Sequence, residues 1–257
     1  MLNRMEGEKS INQTNYLSDE DLHKKYTQLR ECIELEKDDQ NSHVKEMKSL
    51  LITALLKYNA IKFGDFILKS KRKSKYFFSS GVLNNIVSAH IISFLISHLI
   101  LKEKIPFDYL LGASYKGIPI ATLTSHFLFR SNKFANVFYL YDRKEKKDYG
   151  DKTLIVGNLD EAVNGDVHNA KEAESEKKVI IIDDVFTCGT ALTEIINKLK
   201  SYPNLRVVAL IVLLNRNEYE LNEQNEKVYF KDLFEQKLNV PLYSILSYHE
   251  DLEPLMG

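Results

Sequence analysis

From position 107 onward, short aliphatic runs alternate with amphipathic stretches. "FDYLLGASYKGIPIATLTSHFL" (107–128) reads as strand, glycine-bearing loop and helix. "NVFYLYDRKEKKDYGDKTLIVG" (136–157) reads as strand, charged excursion and strand. "KKVIIIDDVFTCGTALTEIINKLK" (177–200) is again strand, loop and helix. "LRVVALIVLLNRNE" (205–218) is a strongly aliphatic strand and "VPLYSILSY" (240–248) a shorter one. Strands apolar along their whole length are covered on both faces. Their alternation with helices predicts an α/β fold with a mostly parallel central sheet flanked by helices.

Upstream the rhythm differs. A helix is predicted over 42–61, with Val44, Met47, Leu50, Leu51, Ala54 and Leu55 on one face. Phe63, Phe66 and Leu68, followed by Tyr76 to Phe78, suggest two strands around the cationic turn "KSKRKSK". Residues 82–103 return to helix. The first 45 residues are polar, with a helix start at Ser18 backed by Asp19, Glu20 and Asp21. In that helix Leu22, Tyr26, Leu29, Cys32, Ile33 and Leu35 are only loosely periodic. A surface helix or arm is expected there, with a partner-docking arm as the alternative. The segment 158–178 carries six acidic residues and no aromatic one, and is expected to be a solvated insertion.

Composition narrows the function classes. Among 257 residues 44% are hydrophobic, enough for a substantial core, and the formal net charge of −1 gives no global reason to expect nucleic-acid binding. The two cysteines, Cys32 and Cys188, are far apart and have no CxxC or Cys/His ligand spacing, so reduced thiols in a cytoplasmic compartment are expected. No stretch approaches the ~18 uninterrupted apolar residues of a membrane span. "IVSAHIISFLISHLILKEKI", interrupted by His90 and His98, reads as a buried core helix. "MLNRMEGEKSINQ" has no apolar core of a secretory signal.

The chemistry gathers where an aliphatic strand runs into Asp183 and Asp184. In a parallel sheet, ligands bind beyond the carboxyl ends of the strands. Two adjacent carboxylates repel, so sugar hydroxyls, a cation or water must compensate them. The following "TCGTAL" sets Thr187, Gly189 and Thr190 just ahead of a helix, where backbone N–H groups and hydroxyls can receive a phosphate. Acceptors for a diol beside a phosphate nest describe a site for a ribose 5-phosphate. An acidic surface turn before a capped helix is the plainer alternative.

"VIIIDDVFTCGTAL" resembles the phosphoribosyl-pyrophosphate (PRPP) motif of type I phosphoribosyltransferases. "LKSKRKSKYFFSSG", "LLGASYKGIPIA" and "YDRKEKKDYGDKTLIVG" resemble the substrate segment, the lysine-bearing loop and the mobile catalytic loop of orotate phosphoribosyltransferases, in that family's order. The resemblance covers roughly residues 60 to 216. It implies a pentosyltransferase that, with Mg²⁺, converts orotate and PRPP into orotidine 5′-monophosphate and pyrophosphate, a step of pyrimidine (UMP) biosynthesis. Its implied organisation is a polar helical extension over 1–45 and a transferase domain over 46–257. Within that domain a small hood is built from about 46–80 and the C-terminal region.

Residue by residue, the resemblance gives PRPP to Lys116, Asp183, Asp184, Thr187, Cys188, Gly189, Thr190 and Ala191. It gives the catalytic group as Arg143, Lys144, Lys147, Tyr149 and Asp183, with Arg143 and Lys147 reaching pyrophosphate when the loop closes over the neighbouring subunit's site. A homodimer follows. Orotate would meet Lys69, Phe77, Phe78, Thr187 and Arg216, the arginine facing its carboxylate. Mg²⁺ would be carried mainly by PRPP, without an identified protein ligand. With the sequence ending at Gly257, a separate orotidylate decarboxylase chain is the expected partner, and neither nucleic acid nor membrane is expected.

Three positions depart from the family pattern: Tyr149 stands where histidine is common, Cys188 where alanine or glycine is, and Lys71 where glycine is. Tyrosine donates a hydrogen bond but is a poor proton acceptor near neutral pH. An orienting or pyrophosphate-contacting role is therefore expected of Tyr149. Two other readings share the PRPP loop: a purine-base transferase, and a non-catalytic PRPP sensor that binds nucleic acid. The retained cations Arg143, Lys144 and Lys147 favour the enzyme.

Overall fold

A computed structural model of the chain describes residues 16–35, 39–67, 73–134, 136–145, 153–159 and 176–256. The chain divides into two compact units, with the boundary at Leu95 and Ile96.

The first unit begins with α1 (Asp19–Glu34) and α2 (Gln40–Lys57). Ser18 caps α1 by accepting from the Asp21 N–H at 3.0 Å, as predicted. The loosely periodic apolar set resolves into one stripe: Leu22, Tyr26, Leu29 and Ile33 are buried, while Leu35 is exposed. The spacing is that of one helical face. Tyr26 meets the Phe94 ring edge-on at 6.3 Å. The Lys57 ammonium pairs with Asp19 and donates to the Leu17 carbonyl, tying the end of α2 to the start of α1. Helix α2 begins two residues before the predicted Ser42, because the Asp39 carboxylate accepts from the Ser42 N–H at 3.1 Å.

The two expected strands are β1 (Ile61–Ile67) and β2 (Lys73–Phe78), which pair antiparallel with Ile61 opposite Phe78 and Ile67 opposite Lys73. The helix predicted from 82 starts later, as α3 (Ile86–Lys102). Ser80–Val82 is instead a short 3-10 turn, and the Asn85 side chain accepts from the Ser88 N–H at 2.9 Å. Asparagine and glycine favour that turn over an extra helical turn. Among the described residues no helix is long and apolar enough to cross a membrane.

The second unit holds β3 (Tyr109–Gly112), α4 (Gly117–Arg130), β4 (Phe138–Asp142), β5 (Ile155–Val156), β6 (Lys177–Phe186), α5 (Thr190–Leu199) and β7 (Leu205–Asn215). After them come β8 (Tyr219–Leu221), β9 (Lys227–Tyr229), α6 (Phe230–Leu238) and β10 (Leu242–Ser247). Six strands form one sheet in the order β10-β7-β6-β3-β4-β5. Every neighbouring pair is parallel except β4 with β5. The core lies against it, with Leu111, Val179, Ile181, Leu192, Leu210 and Val212 among its buried residues. The β8–β9 hairpin and α6 had no counterpart in the hydrophobic pattern.

The topology fixes where a ligand belongs. From β3 the chain moves outward to β4 on one side, then returns to β6 on the other and continues to β7 and β10. The strand order therefore reverses between β3 and β6, and a crevice opens there beyond the carboxyl ends.

Candidate active site

The register brings two carboxylates to this crevice. Gly112, the last residue of β3, pairs with Ile182, while Asp183 pairs onward with Val212 and Phe186 with Asn215 of β7. Asp183 and Asp184 thus lie inside β6 rather than just after it, because the longer β7 keeps β6 paired past the end of β3.

The loop after β3 is pressed against β6. The Ala113 N–H donates to the Ile182 carbonyl at 2.9 Å, and a side chain on Gly117 would place its Cβ 2.2 Å from that same oxygen. Only glycine fits this approach. The Ser114–Tyr115 peptide is cis. Lys116 follows, and its Nζ lies 3.1 Å from Asp184 Oδ2.

The two buried aspartates are compensated differently. Asp184 has the Lys116 ammonium. Asp183 accepts the Asp184 N–H at 2.8 Å, but its carboxyl is pushed up to about 8, first by burial and then by the negative Asp184, with Lys144 opposing the shift. Burial beside Asp184 disfavours a second negative charge here, and hydroxyl donors from a ligand would offset that cost.

The turn after β6 is shaped by two rings. Gly189 has φ +81°, and a Cβ there would sit 2.4 and 2.5 Å from ring atoms of Phe234 and 3.0 Å from Phe186. Those rings meet edge-on at 5.2 Å. Helix α5 then starts without a side-chain cap, so the first N–H groups of the helix remain available for an anion. The exposed Cys188 thiol is 3.3 Å from the Thr190 hydroxyl, which holds its pKa below the usual thiol value. Lys144, Asp183, Thr187, Gly189, Thr190 and Ala191 line one cavity of about 340 Å³, together with Glu194 of α5.

Arg216 stands beyond the end of β7, 8% exposed, with its Nε donating to Glu218 at 2.9 Å and its N–H to the Phe186 carbonyl at 3.1 Å. Phe77 and Phe78 belong to the first unit, where the Phe77 ring lies 5.8 Å from that of Phe66. Lys69, Lys147 and Tyr149, with residues 160–175 of the insertion, fall outside the described residues. Among the described residues no three His, Cys, Asp or Glu side chains gather to hold a metal ion.

Sequence reasoning passed over Asp142, Glu194, Lys198, Glu218 and Phe234. Asp142 and Lys198 are joined across 56 positions, and no local spacing announces such a pair. Glu218 was within reach: an acid two residues after an arginine that directly follows a buried strand is a candidate counter-ion.

The Phosphoribosyl transferase domain family matches residues 82–245. The orotate phosphoribosyltransferase of Yarrowia lipolytica is 33% identical over 199 residues, spanning 77% of this chain and 83% of that protein. That of Bifidobacterium longum is 36% identical over 202 residues, spanning 76% of this chain and 80% of that protein. The chain belongs to the orotate phosphoribosyltransferase family. The crystal structure of the Francisella tularensis orotate phosphoribosyltransferase matches with a TM-score of 0.62 at 29% identity, covering 80% of this chain and 90% of that one. The sheet order and flanking helices are those of the type I phosphoribosyltransferase fold, as the strand-helix pattern and the PRPP motif predicted.

Proposed function

We infer that the protein is an orotate phosphoribosyltransferase that makes orotidine 5′-monophosphate for pyrimidine biosynthesis. The observation that carries this reading is the shared cavity, on which the aspartate strand, the TCGT turn and the cationic Lys144 converge. Relatives at 33 and 36% identity supply the name of the base.

In this reading the α5 N-terminus, with Thr187, Cys188, Gly189, Thr190 and Ala191, receives the 5′-phosphate. Asp183 and Asp184 accept hydrogen bonds from the ribose hydroxyls. Lys116 and Lys144 meet the diphosphate, joined by Arg143, Lys147 and Tyr149 when the neighbouring subunit's loop closes. The bond from the ribose C1 to the diphosphate breaks, and its electron pair leaves with the diphosphate. A bond from C1 to an orotate ring nitrogen forms as that nitrogen gives up its proton, which the departing diphosphate oxygen can take. The cations stabilise the charge that grows on the leaving group, and loop closure excludes water from the cationic sugar. The family resemblance, and it alone, assigns orotate to Lys69, Phe77, Phe78, Thr187 and Arg216, with the arginine for its carboxylate.

The residues present fit Mg²⁺. That ion prefers hard oxygens and binds through few carboxylates plus substrate phosphates, and the cavity wall offers carboxylate and hydroxyl oxygens for an ion arriving on PRPP. When bound, it neutralises diphosphate charge. A homodimer that shares the loop and a cytoplasmic location complete the proposal and rest on the family resemblance.

The test is product identification. Incubated with Mg²⁺, PRPP and a panel of orotate, hypoxanthine and guanine, the protein should yield orotidine 5′-monophosphate by mass spectrometry. Nucleotide formed only from a purine base would overturn the assignment.

A further inference from the structure

Asp142 closes β4 directly before the cationic segment and is buried to 1% exposure, and its ion-pair partner Lys198 is 17% exposed. Neither residue has a part in the transfer described above. Asp142 Oδ1 accepts the Ser114 N–H at 2.7 Å, and Oδ2 accepts Lys198 Nζ at 2.5 Å. Lys198 Nζ donates a second time, to the Arg143 carbonyl at 2.8 Å. The Ser114 hydroxyl donates to the Asp142 carbonyl, and the Arg143 N–H to the Leu154 carbonyl at 2.9 Å.

These bonds join three segments, with Lys198 in the last turn of α5. Ser114 precedes Lys116 by two residues in the β3–α4 loop. Arg143 and Lys144 follow Asp142 directly. Lys198 belongs to α5, the helix that starts at the TCGT turn. A buried ion pair is weak as a source of stability, since an apolar pair of similar volume often does as well. An apolar pair, however, could neither accept the Ser114 amide nor hold the Arg143 carbonyl. What the charges supply here is geometry.

We propose that Asp142 and Lys198 are a positioning pair that sets Lys116 and Lys144 relative to the α5 N-terminus of the same chain and thereby governs affinity for PRPP. The proposal deepens the transferase reading and rests on it for the identity of the anion. Neither residue touches substrate. They act by fixing the spacing between the phosphate end and the diphosphate end of the site, where small misplacements are costly.

The test is calorimetric titration of Mg²⁺–PRPP into the full chain, alongside steady-state kinetics and thermal melts. Lys198→Met and Asp142→Asn should each weaken PRPP binding roughly 10- to 100-fold and raise its KM, with the KM for orotate near wild type. Lys198→Arg, which keeps the charge and a donor, should restore most of the affinity. The double variant Asp142→Asn/Lys198→Met leaves no unpaired charge, so it should stay folded and still show the PRPP defect. A folded double variant with wild-type PRPP affinity, in a chain that turns over orotate, would overturn the pair and leave the transferase reading intact. Absence of orotate turnover in the wild type, with PRPP affinity still lost in the double variant, would overturn the choice of base and leave the pair standing.

Discussion

Asp183 and Asp184 lie buried side by side in β6, yet Asp184 faces an ammonium while burial and the negative Asp184 push the Asp183 carboxyl up to about 8. The consequence for stability has a definite sign. Between the ordinary value of 3.8 and about 8 the native Asp183 keeps a proton that the unfolded chain has released. Stability contributed at this site therefore falls as pH rises through that window. Asp183→Asn, which cannot ionise, should melt on the order of a few degrees above wild type at pH 8 and match it near pH 4. Melting curves across pH check this; parallel curves for the two proteins would show that Asp183 is charged throughout. The aspartate pair was legible in the sequence because strand, acids, small residues and helix are contiguous. The Asp142–Lys198 bond was not, since its partners meet only once β4 and α5 have packed on the same sheet. The Tyr149 and Lys147 positions rest on the resemblance alone.

At the scale of elements, the phosphate turn depends on a helix that the hydrophobic pattern did not disclose. Helix α6 is short and of mixed polarity, and Phe234 is its one buried residue. That phenylalanine fills the space a Gly189 side chain would need. Gly189→Ala should therefore cost roughly 1–3 kcal/mol in urea unfolding, from the left-handed backbone and the ring clash together, and weaken PRPP binding. Adding Phe234→Leu should recover part of the loss, because the two sites are in contact and their effects are coupled. Full additivity of the two changes would contradict the packing described. The strands were legible because parallel strands buried on both faces read as continuous aliphatic runs. The β8–β9 hairpin was not, because Tyr219, Glu220 and Leu221 are all exposed and carry no alternation to read. The α1 stripe was only half legible: Cys32 and Leu35 blurred the spacing of the four residues that pack.

For the whole molecule, the proposed sharing of the catalytic loop between subunits makes a prediction that a self-contained site does not. Asp183→Asn disables the ribose side and Lys147→Ala the loop side. Each variant alone should be nearly inactive. Mixed and allowed to exchange subunits, they should regain activity, because a heterodimer then has one site whose loop and sheet are both intact. No recovery after verified exchange would place loop and sheet of each site on the same chain. The family was legible from four contiguous stretches, while the assembly is not written in any one of them.

The most direct measurement is the ultraviolet absorbance of orotate followed in both directions with purified protein and Mg²⁺. Orotate should be lost only when PRPP is added, and should return from orotidine 5′-monophosphate on addition of pyrophosphate. Orotate that stays constant with PRPP present, in protein shown to be folded and to bind PRPP, would contradict the transferase reading.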